Sequence, residues 1–281
     1  MVARALDLTS HWPVPTVAAA VTRHGEVLDS IGPTDHQFRL ASIGKTLVAW
    51  TCLIATEEGI ISLDDVIGPD DGHHRTLRHL LSHASGYGFN AGDSISAPER
   101  RRMYGNHAIE VAAEHLAAAA GMPFAEYLKA GVLDQLDMDS TELRGSPADS
   151  IWSTVDDLGR FLAEVATPRL VTAASAAEAT SPQFPGLAGI VPGVGRFDNC
   201  PWGLGFEIRG DKSPHWTGTR NSDATYGHFG GAGTMAWTDP RLDGLSLVAL
   251  TDLPFDQWAD AALVEWPRLS DAVIDEFAGT R

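Results

Sequence analysis

The sequence predicts an α+β fold, in which both ends of the chain contribute strands to one antiparallel sheet flanked by helices. Short apolar or alternating runs, typical of strands, occur in residues 16–31 and 202–251. The region between them, 71–195, has mainly helical patterns and predicts an inserted, mostly helical subdomain. We therefore expect an α/β subdomain of residues 1–70 plus 196–281, packed with the insertion into one domain.

The N-terminal part of the chain predicts a hairpin followed by a buried helix. Two strand-like runs, 16–21 and 26–31, flank the turn-forming Arg23-His24-Gly25. From Ser42 to Gly59 the chain contains no proline and mostly apolar residues, which indicates a helix buried on most sides. Serine is a residue type that starts helices, where the first N–H groups have no partner within the helix.

The rest of the chain alternates helical patterns with turn signals before strands return. Helices are predicted at residues 77–83, 108–120, 124–133, 155–165, 171–180 and 255–277. Ser153 and Thr154 precede two acidic residues, so the fourth of these helices has a capped start. Strands are predicted at residues 202–208, 234–238 and 245–251, and the glycine- and proline-rich segment 182–199 is expected to be irregular.

Ser42 and Lys45 are the main candidates for chemistry. Three residues is close to one helical turn, so both side chains project from the same face of a helix. A serine hydroxyl needs a neighbouring base to act as a nucleophile, and a lysine in an apolar or cationic pocket can be neutral enough to serve. Alone, the Ser-x-x-Lys spacing is weak evidence, because a capping serine and a solvated lysine produce the same pattern.

Gly44-Lys45-Thr46 also fits the end of a phosphate-binding loop, G-x-x-x-x-G-K-[ST]. The first glycine of that pattern is replaced by Arg39, and no glycine follows before Gly44. The nucleotide-binding interpretation is therefore rejected.

Two further segments carry residues suited to a catalytic site. Tyr104-Gly105-Asn106 offers a phenol that can pass a proton and an amide that can hold a carbonyl or a lysine. The segment 226–234 contains four glycines and His228, and such glycines allow a ligand to approach backbone N–H donors closely. The simpler interpretations are a helix-capping Asn106 and a flexible turn or bulged edge strand at 226–234.

In this order, the three segments resemble the serine β-lactamase and penicillin-binding-protein-like superfamily, specifically its class C β-lactamase and esterase branch. That family carries Ser-x-x-Lys, then Tyr-x-Asn, then Lys- or His-Thr-Gly. Similarity to other family segments extends to residues 77–86, which read LRHLLSHASG, and to residues 121–128, 133–141 and 156–161.

The resemblance implies a role for each matching residue. Ser42 would be the acylated nucleophile, Lys45 its base, and Tyr104 a partner in general acid/base catalysis. Asn106 would orient Lys45 or the substrate. The N–H groups of Ser42 and Gly231 would form the oxyanion hole. The remaining substrate-binding positions belong to the third motif: His228, Gly230 and Gly231.

The chain departs from the family pattern in the third motif. His228 stands where many β-lactamases have lysine, so a fixed charge becomes one largely lost above about pH 6.5 unless the site shifts it. Phe229 occupies the position of a hydroxyl residue that usually meets the substrate carboxylate. These changes favour an esterase, amidase or transacylase over an efficient β-lactamase, with weak activity on β-lactams as a side reaction.

Three functional classes remain open on the sequence. The leading one is a serine hydrolase acting on small-molecule esters, amides or β-lactams through an acyl-enzyme. The alternatives are a D-Ala-D-Ala peptidase or transacylase, and a non-catalytic ligand-binding member of the same fold.

Composition limits the partners. The net charge of −17 argues against nucleic acids and anionic membranes. Neither a cofactor nor a metal is expected, since Cys52 and Cys200 form no metal pattern and residues 70–74 fit a solvated loop. Arg100-Arg101-Arg102 is interpreted as a solvated cluster that could border the cleft because Tyr104 follows. Without a recognisable signal peptide or membrane span, a cytoplasmic location is expected, and the oligomeric state is left open.

Overall fold

A six-stranded antiparallel sheet forms the centre of the computed structural model, which describes residues 4–69, 71–93 and 95–279. Its strand order is β2-β1-β11-β10-β9-β8. The strands are β1 (Val17–Arg23), β2 (Glu26–Ile31), β8 (Glu207–Ile208), β9 (Tyr226–Gly230), β10 (Thr234–Asp239) and β11 (Leu245–Thr251). Two small sheets accompany it: β3 (Phe38–Arg39) with β5 (Ile151–Ser153) and β4 (Glu142–Leu143), and β6 (Gly189–Val191) with β7 (Gly195–Phe197).

Strand β1 joins the two ends of the chain. It pairs with β11 over its whole length, from Val17 opposite Thr251 to Arg23 opposite Leu245. All seven residues of β11 are buried, because both faces of the sheet are covered, and this explains its nearly continuous apolar sequence. The predicted α+β fold, with one antiparallel sheet built from both ends of the chain, is confirmed.

Helices cover the two faces of the sheet. The helix α5 packs on one face and α7 on the other, next to the short 3-10 helix Ala5–His11. The α-helices are α1 (Gly44–Glu57), α2 (Leu77–Leu81), α3 (His107–Ala120), α4 (Phe124–Leu128), α5 (Val155–Ala166), α6 (Ala173–Ala179) and α7 (Ala259–Phe277). As predicted, α5 has a capped start, since the Thr154 hydroxyl accepts a hydrogen bond from the Asp157 N–H.

The start of α1 differs from the prediction. Ser42 lies in a single 3-10 turn, Ala41–Ile43, that leads into α1, and its side chain does not cap the helix. Ala41 has a φ of 49°, a left-handed conformation that is uncommon for a residue with a side chain. The nucleophile candidate therefore sits on a sharp turn between β3 and α1, where strain is often tied to function.

Other predicted elements are shorter or broken. The predicted helix 124–133 is divided into α4 and the π-helical turn Lys129–Leu133 that follows it. Of the predicted strand 202–208, only Glu207–Ile208 is extended in the sheet, because Gly205 adopts a φ of 79° to pass close to α1. The segment 182–199, predicted to be irregular, contains the hairpin β6–β7.

The small sheet β3–β5–β4 connects residues assigned to both predicted subdomains. Their division thus stays a prediction. Within the described part of the chain, no helix is long and apolar enough to cross a membrane.

Candidate active site

Lys45 is held against Ser42 by the first turn of α1. The ammonium nitrogen of Lys45 lies 3.1 Å from the Ser42 Oγ. It also donates to the Asn106 Oδ1 and to the Ala148 carbonyl, each at 2.7 Å. These contacts fix the amine beside the hydroxyl, the geometry that a nucleophile and its base require.

The environment of Lys45 suits a general base. Burial lowers the pKa of Lys45 to about 7, although Asp149 and Glu110 act in the opposite direction. The side chain is fully buried, and its three hydrogen-bond acceptors are all neutral. Near pH 7 a substantial fraction of the molecules therefore carries a neutral Lys45 amine. A neutral amine can accept the proton of Ser42.

Tyr104 completes the group around Ser42. Its ring centre lies 5.2 Å from the Lys45 ammonium nitrogen, and its phenol hydrogen-bonds to Ser42. Burial raises the pKa of Tyr104 above its usual value, an effect that the Ser42 hydrogen bond opposes. At neutral pH the phenol is thus protonated and able to donate.

An aromatic wall lies behind Tyr104. The rings of His83, Trp202 and His228 lie 4.7, 5.5 and 5.7 Å from the Tyr104 ring, centre to centre. Both nitrogens of His83 lack a hydrogen-bond partner among the described residues. Burial, reinforced by the Lys45 charge, lowers the pKa of His83 well below its usual value. This wall is uncharged at neutral pH.

His228 carries no charge at neutral pH. Burial, followed by the Lys45 charge, lowers the pKa of His228 to about 4 against the opposing effect of Glu207. Its Nδ1 lies 2.6 Å from the Phe229 carbonyl, so this nitrogen donates and the Nε2 keeps its lone pair. The neighbouring Phe229 packs its ring against Phe255 and Trp266 and offers no hydroxyl.

The end of β9 lies directly against the turn that carries Ser42. A Cβ added to Gly230 would lie 2.2 Å from the Leu40 carbonyl oxygen, so only glycine fits this position. The Thr234 hydroxyl donates to the same carbonyl at 3.0 Å. A Cβ at Gly231, in contrast, would meet nothing within 4 Å. The glycine segment thus brings strand and nucleophile together, and Gly231 opens towards the cavity.

A cavity of about 470 Å³ gives access to this group. The hairpin β6–β7 contributes Val191, Pro192 and Gly193 to its wall. The other residues that line it come from all parts of the chain: Ser42, Phe89, Tyr104, Trp202, Glu207, His228, Phe229, Gly231, Phe255, Asp256 and Ala259. Its size and mostly apolar wall suit a small organic substrate.

Glu207 is the buried charge at the edge of this cavity. Its carboxylate forms a salt bridge with Lys212 at 3.1 Å and accepts hydrogen bonds from His215 at 3.0 Å and the Trp216 indole at 2.7 Å. Lys212 and His215 lower the pKa of Glu207 despite its burial, so the carboxylate is ionised. The cluster is a satisfied ion pair that fixes β8 beside the cavity.

The structure brings together most of the residues that the sequence singled out. Ser42, Lys45, Tyr104 and Asn106 lie in one group, and His228 and Gly231 line the same cavity as Ser42. Gly230 supports the turn instead of lining the cavity.

Sequence reasoning missed several wall residues. Trp202, predicted to lie in a core strand, belongs to the wall beside Tyr104. The sequence indicates His83 only as part of a family-like segment, and the hairpin β6–β7 lies in a segment predicted to be irregular. Aromatic residues near glycines were their only local signal, and it does not distinguish a site wall from a core.

Asp70 lies outside the described residues, and Asp71 next to it pairs with Arg75 at 2.7 Å.

The antiparallel sheet, its flanking helices and the Ser-x-x-Lys turn beneath β9 define a protein with the β-lactamase/transpeptidase-like fold. The beta-lactamase family model matches residues 8–265, and the chain belongs to this family. Members of the family are hydrolases.

Solved structures agree with this assignment. A beta-lactamase from Mycobacterium bovis is 44% identical over 98% of this chain and 99% of its own, with a TM-score of 0.92. EstCE1, a hydrolase with promiscuous acyltransferase activity, is 17% identical over 96% of each chain, with a TM-score of 0.78. A D-stereospecific amidohydrolase from Streptomyces sp. is 20% identical over 99% of this chain and 98% of its own, with a TM-score of 0.70. The last two likenesses establish the fold alone. The sequence has no significant match among the curated proteins compared with it.

Proposed function

We propose that the protein is a serine hydrolase that cleaves ester or amide bonds through an acyl-enzyme on Ser42. One observation carries the proposal: the Lys45 amine lies 3.1 Å from the Ser42 Oγ at a cavity wall, with a pKa lowered to about 7. A neutral amine at this distance can take the hydroxyl proton as the oxygen attacks a carbonyl carbon.

The other residues support the remaining steps. Ser42 and Gly231 line one cavity, and their N–H groups are the proposed oxyanion hole for the tetrahedral intermediate. The protonated Tyr104 is suited to donate its proton to the leaving oxygen or nitrogen as that bond breaks, and Lys45 then returns a proton to the phenol. Water, activated by the same basic group, attacks the acyl-enzyme and releases the acid.

The third motif favours esters over β-lactams. A penicillin or cephalosporin presents a carboxylate, which a cationic or hydroxyl side chain would bind. Here the corresponding positions hold the neutral His228 and the apolar Phe229. We therefore expect ester turnover to exceed β-lactam turnover, although the Mycobacterium bovis relative is described as a beta-lactamase. Transacylation is a second candidate, since EstCE1 combines hydrolysis with acyl transfer.

Labelling of Ser42 tests the proposal. The protein is treated with a fluorophosphonate or with penicillin, and the modified peptide is identified by mass spectrometry. Turnover is measured with p-nitrophenyl butyrate and with nitrocefin. We expect label on Ser42, faster ester than nitrocefin hydrolysis, and loss of both reactions in Ser42→Ala.

The control is Ser10→Ala, since Ser10 is exposed and its hydroxyl donates to the Asp7 carbonyl. It should retain label and turnover. Absence of both label and hydrolysis in the wild type would favour a non-catalytic binding protein. Cleavage of a D-Ala-D-Ala peptide with little ester turnover would favour the peptidase.

A further inference from the structure

A second cavity, of about 520 Å³, lies beside the first. Phe89, Tyr104 and Pro192 line both cavities, so the two spaces are neighbours. A substrate bound at Ser42 can therefore extend past the phenol into the second cavity. In the proposed mechanism Tyr104 protonates the leaving group, so a leaving group beside the phenol would extend into the second cavity.

Strand geometry places two arginines on this cavity. Arg102 forms a parallel bridge with Gly189, and Ile190 lies opposite Arg196 in the hairpin β6–β7. Ile190 and Arg196 are opposite partners and project from the same face of the hairpin, and Arg101 directly precedes the bridged Arg102. Both arginines line the cavity.

The charge of these two arginines is uncompensated. Within residues 4–69, 71–93 and 95–279, the side chains of Arg101 and Arg196 make no hydrogen bond and no salt bridge. Arg102 also lines this cavity, but it is buried. Its guanidinium group donates hydrogen bonds to backbone carbonyls, including those of Ser82 at 2.9 Å and Cys200 at 3.1 Å. Asp198 is the acidic residue among those that line the cavity. The cavity is thus cationic in a chain whose net charge is −17.

The same cavity has an apolar surface between the arginines and Tyr104. The side chains of Phe89 and Ile190 are 44% and 51% exposed. Exposed apolar groups next to unpaired guanidinium groups suit a ligand with an apolar body that ends in an anion.

We propose that the preferred substrates carry a carboxylate or a phosphate on an apolar leaving group, which Arg101 and Arg196 bind in this second cavity. This inference rests on the proposed hydrolase function. It assigns to Arg101 a role that the sequence alone did not favour, since the arginine run 100–102 was interpreted as a solvated cluster.

Four esters that share one acyl group test the proposal. Each is a butyrate ester at the phenolic oxygen of 3-hydroxybenzyl alcohol, 3-hydroxybenzoate, 3-hydroxyphenyl phosphate or 3-(trimethylammonio)phenol. We expect kcat/KM for at least one anionic ester to exceed that for the neutral ester about tenfold, mainly through KM, and the cationic ester to be the poorest. The carboxylate and phosphate arms identify which anion is preferred. Equal kcat/KM for neutral and anionic esters would overturn the proposal.

Three variants assign the effect to residues. Arg101→Gln and Arg196→Gln should each lower kcat/KM for the preferred anionic ester about tenfold more than for the neutral ester. Arg100→Gln is the matched control, since Arg100 belongs to the same run but does not line the cavity. It should leave the anionic preference intact. Equal losses in all three variants would contradict the assignment. Thermal unfolding verifies that each variant is folded.

A binding measurement separates this inference from the proposed function. The products 3-hydroxybenzoate and 3-hydroxyphenyl phosphate are titrated into the wild type by calorimetry, without any turnover. We expect binding of at least one, about tenfold weaker in Arg101→Gln and in Arg196→Gln. If the esters are not hydrolysed but a product binds in this way, the hydrolase proposal fails and the anion site stands. If the esters are hydrolysed but neither product binds more tightly than 3-hydroxybenzyl alcohol, the anion site fails.

Discussion

Lys45 is a fully buried lysine whose hydrogen-bond acceptors are all uncharged. The carboxylates of Asp149 and Glu110 act only from a distance and do not offset its burial. Removing the amine from water disfavours its charged form, which is what makes it a base near neutral pH. The burial of α1 thus places a candidate proton acceptor 3.1 Å from the Ser42 Oγ.

The acylation rate should follow the ionisation of Lys45. The pKa of Lys45 is lowered to about 7, so the neutral base becomes more abundant as the pH rises through 7. We expect the second-order rate of fluorophosphonate labelling to rise about tenfold per pH unit below 7 and to level off above it.

The rate is measured from pH 5.5 to 9, with Lys45→Arg as comparison. An arginine stays protonated throughout this range, so labelling should fall by about 10²-fold or more and lose its pH dependence. A wild-type rate that still rises about tenfold per pH unit at pH 9 would show that the pKa of Lys45 is not lowered to about 7.

At the scale of elements, the contact between β9 and the Ser42 turn decides the geometry of the site. The backbone of β9 reaches the Leu40 carbonyl because Gly230 has no side chain. Ala41 accepts a left-handed φ of 49° at the same point. A small displacement of either element would move Ser42 relative to the glycine segment.

Gly230→Ala should disrupt this contact. Its Cβ would lie 2.2 Å from the Leu40 oxygen, a backbone atom that cannot move away alone. We expect a loss of about 2 kcal/mol in the free energy of unfolding and a large fall in kcat. Urea unfolding and ester turnover measure the two effects.

Gly231→Ala is the matched control, because its Cβ would meet nothing within 4 Å. Its free energy of unfolding should change by less than about 0.5 kcal/mol. Similar destabilisation by both substitutions would show that the close approach is not the cause.

The short strand β8 depends on a buried ion pair. In Glu207→Gln, Lys212 keeps its charge without a counter-charge, and we expect a loss of about 3–5 kcal/mol in the free energy of unfolding.

The same pair makes stability depend on pH. Because the fold lowers the pKa of Glu207, the contribution of Glu207 to the free energy of unfolding is present above the unfolded-state pKa and is lost as the pH falls below it. Urea titrations at pH 7 and pH 4 measure both effects.

The double variant Glu207→Gln with Lys212→Met is the control for this pair. It removes the unpaired charge and should recover part of the loss. If the double variant is less stable than the single variant, charge burial is not the origin of the effect.

Elements with a regular pattern were predictable from the sequence, whereas those shaped by packing were not. The amphipathic α3 and α5 and the strand β11 were found within about two residues, because their apolar spacing repeats over several turns or residues. The break in 202–208 arises from the contact of Gly205 with α1, which is distant in sequence. Ser42 and Lys45 are close in sequence, so a local motif identifies them. Trp202 and β6–β7 reach the cavity wall through contacts between distant parts of the chain, which no local motif shows.

At the scale of the whole molecule, charge is distributed unevenly. The net charge of −17 repels anions at long range. At short range the second cavity presents Arg101 and Arg196, whose side chains have no partner among the described residues. Salt screens the long-range repulsion more than a contact pair. The global charge therefore limits non-specific binding without preventing an anionic substrate from binding at the site.

Screening should stabilise the folded protein. A compact chain with this net charge is destabilised by self-repulsion, so raising NaCl from 20 to 500 mM should raise Tm by about 2–5 °C at pH 7.5. Differential scanning calorimetry measures the change, and KCl should have the same effect. A fall in Tm would mean that attractive pairs dominate the electrostatics.

The hairpin β6–β7 forms a sheet of its own, apart from the strands that hold Ser42 and Lys45 in place. It nevertheless contributes residues to both cavities. Substitutions at the exposed Ile190 and Arg196 can alter which molecules enter the second cavity, whereas Val191 is part of the buried core. Exchange of this hairpin between family members is accordingly a direct route by which new substrate preferences can evolve or be engineered.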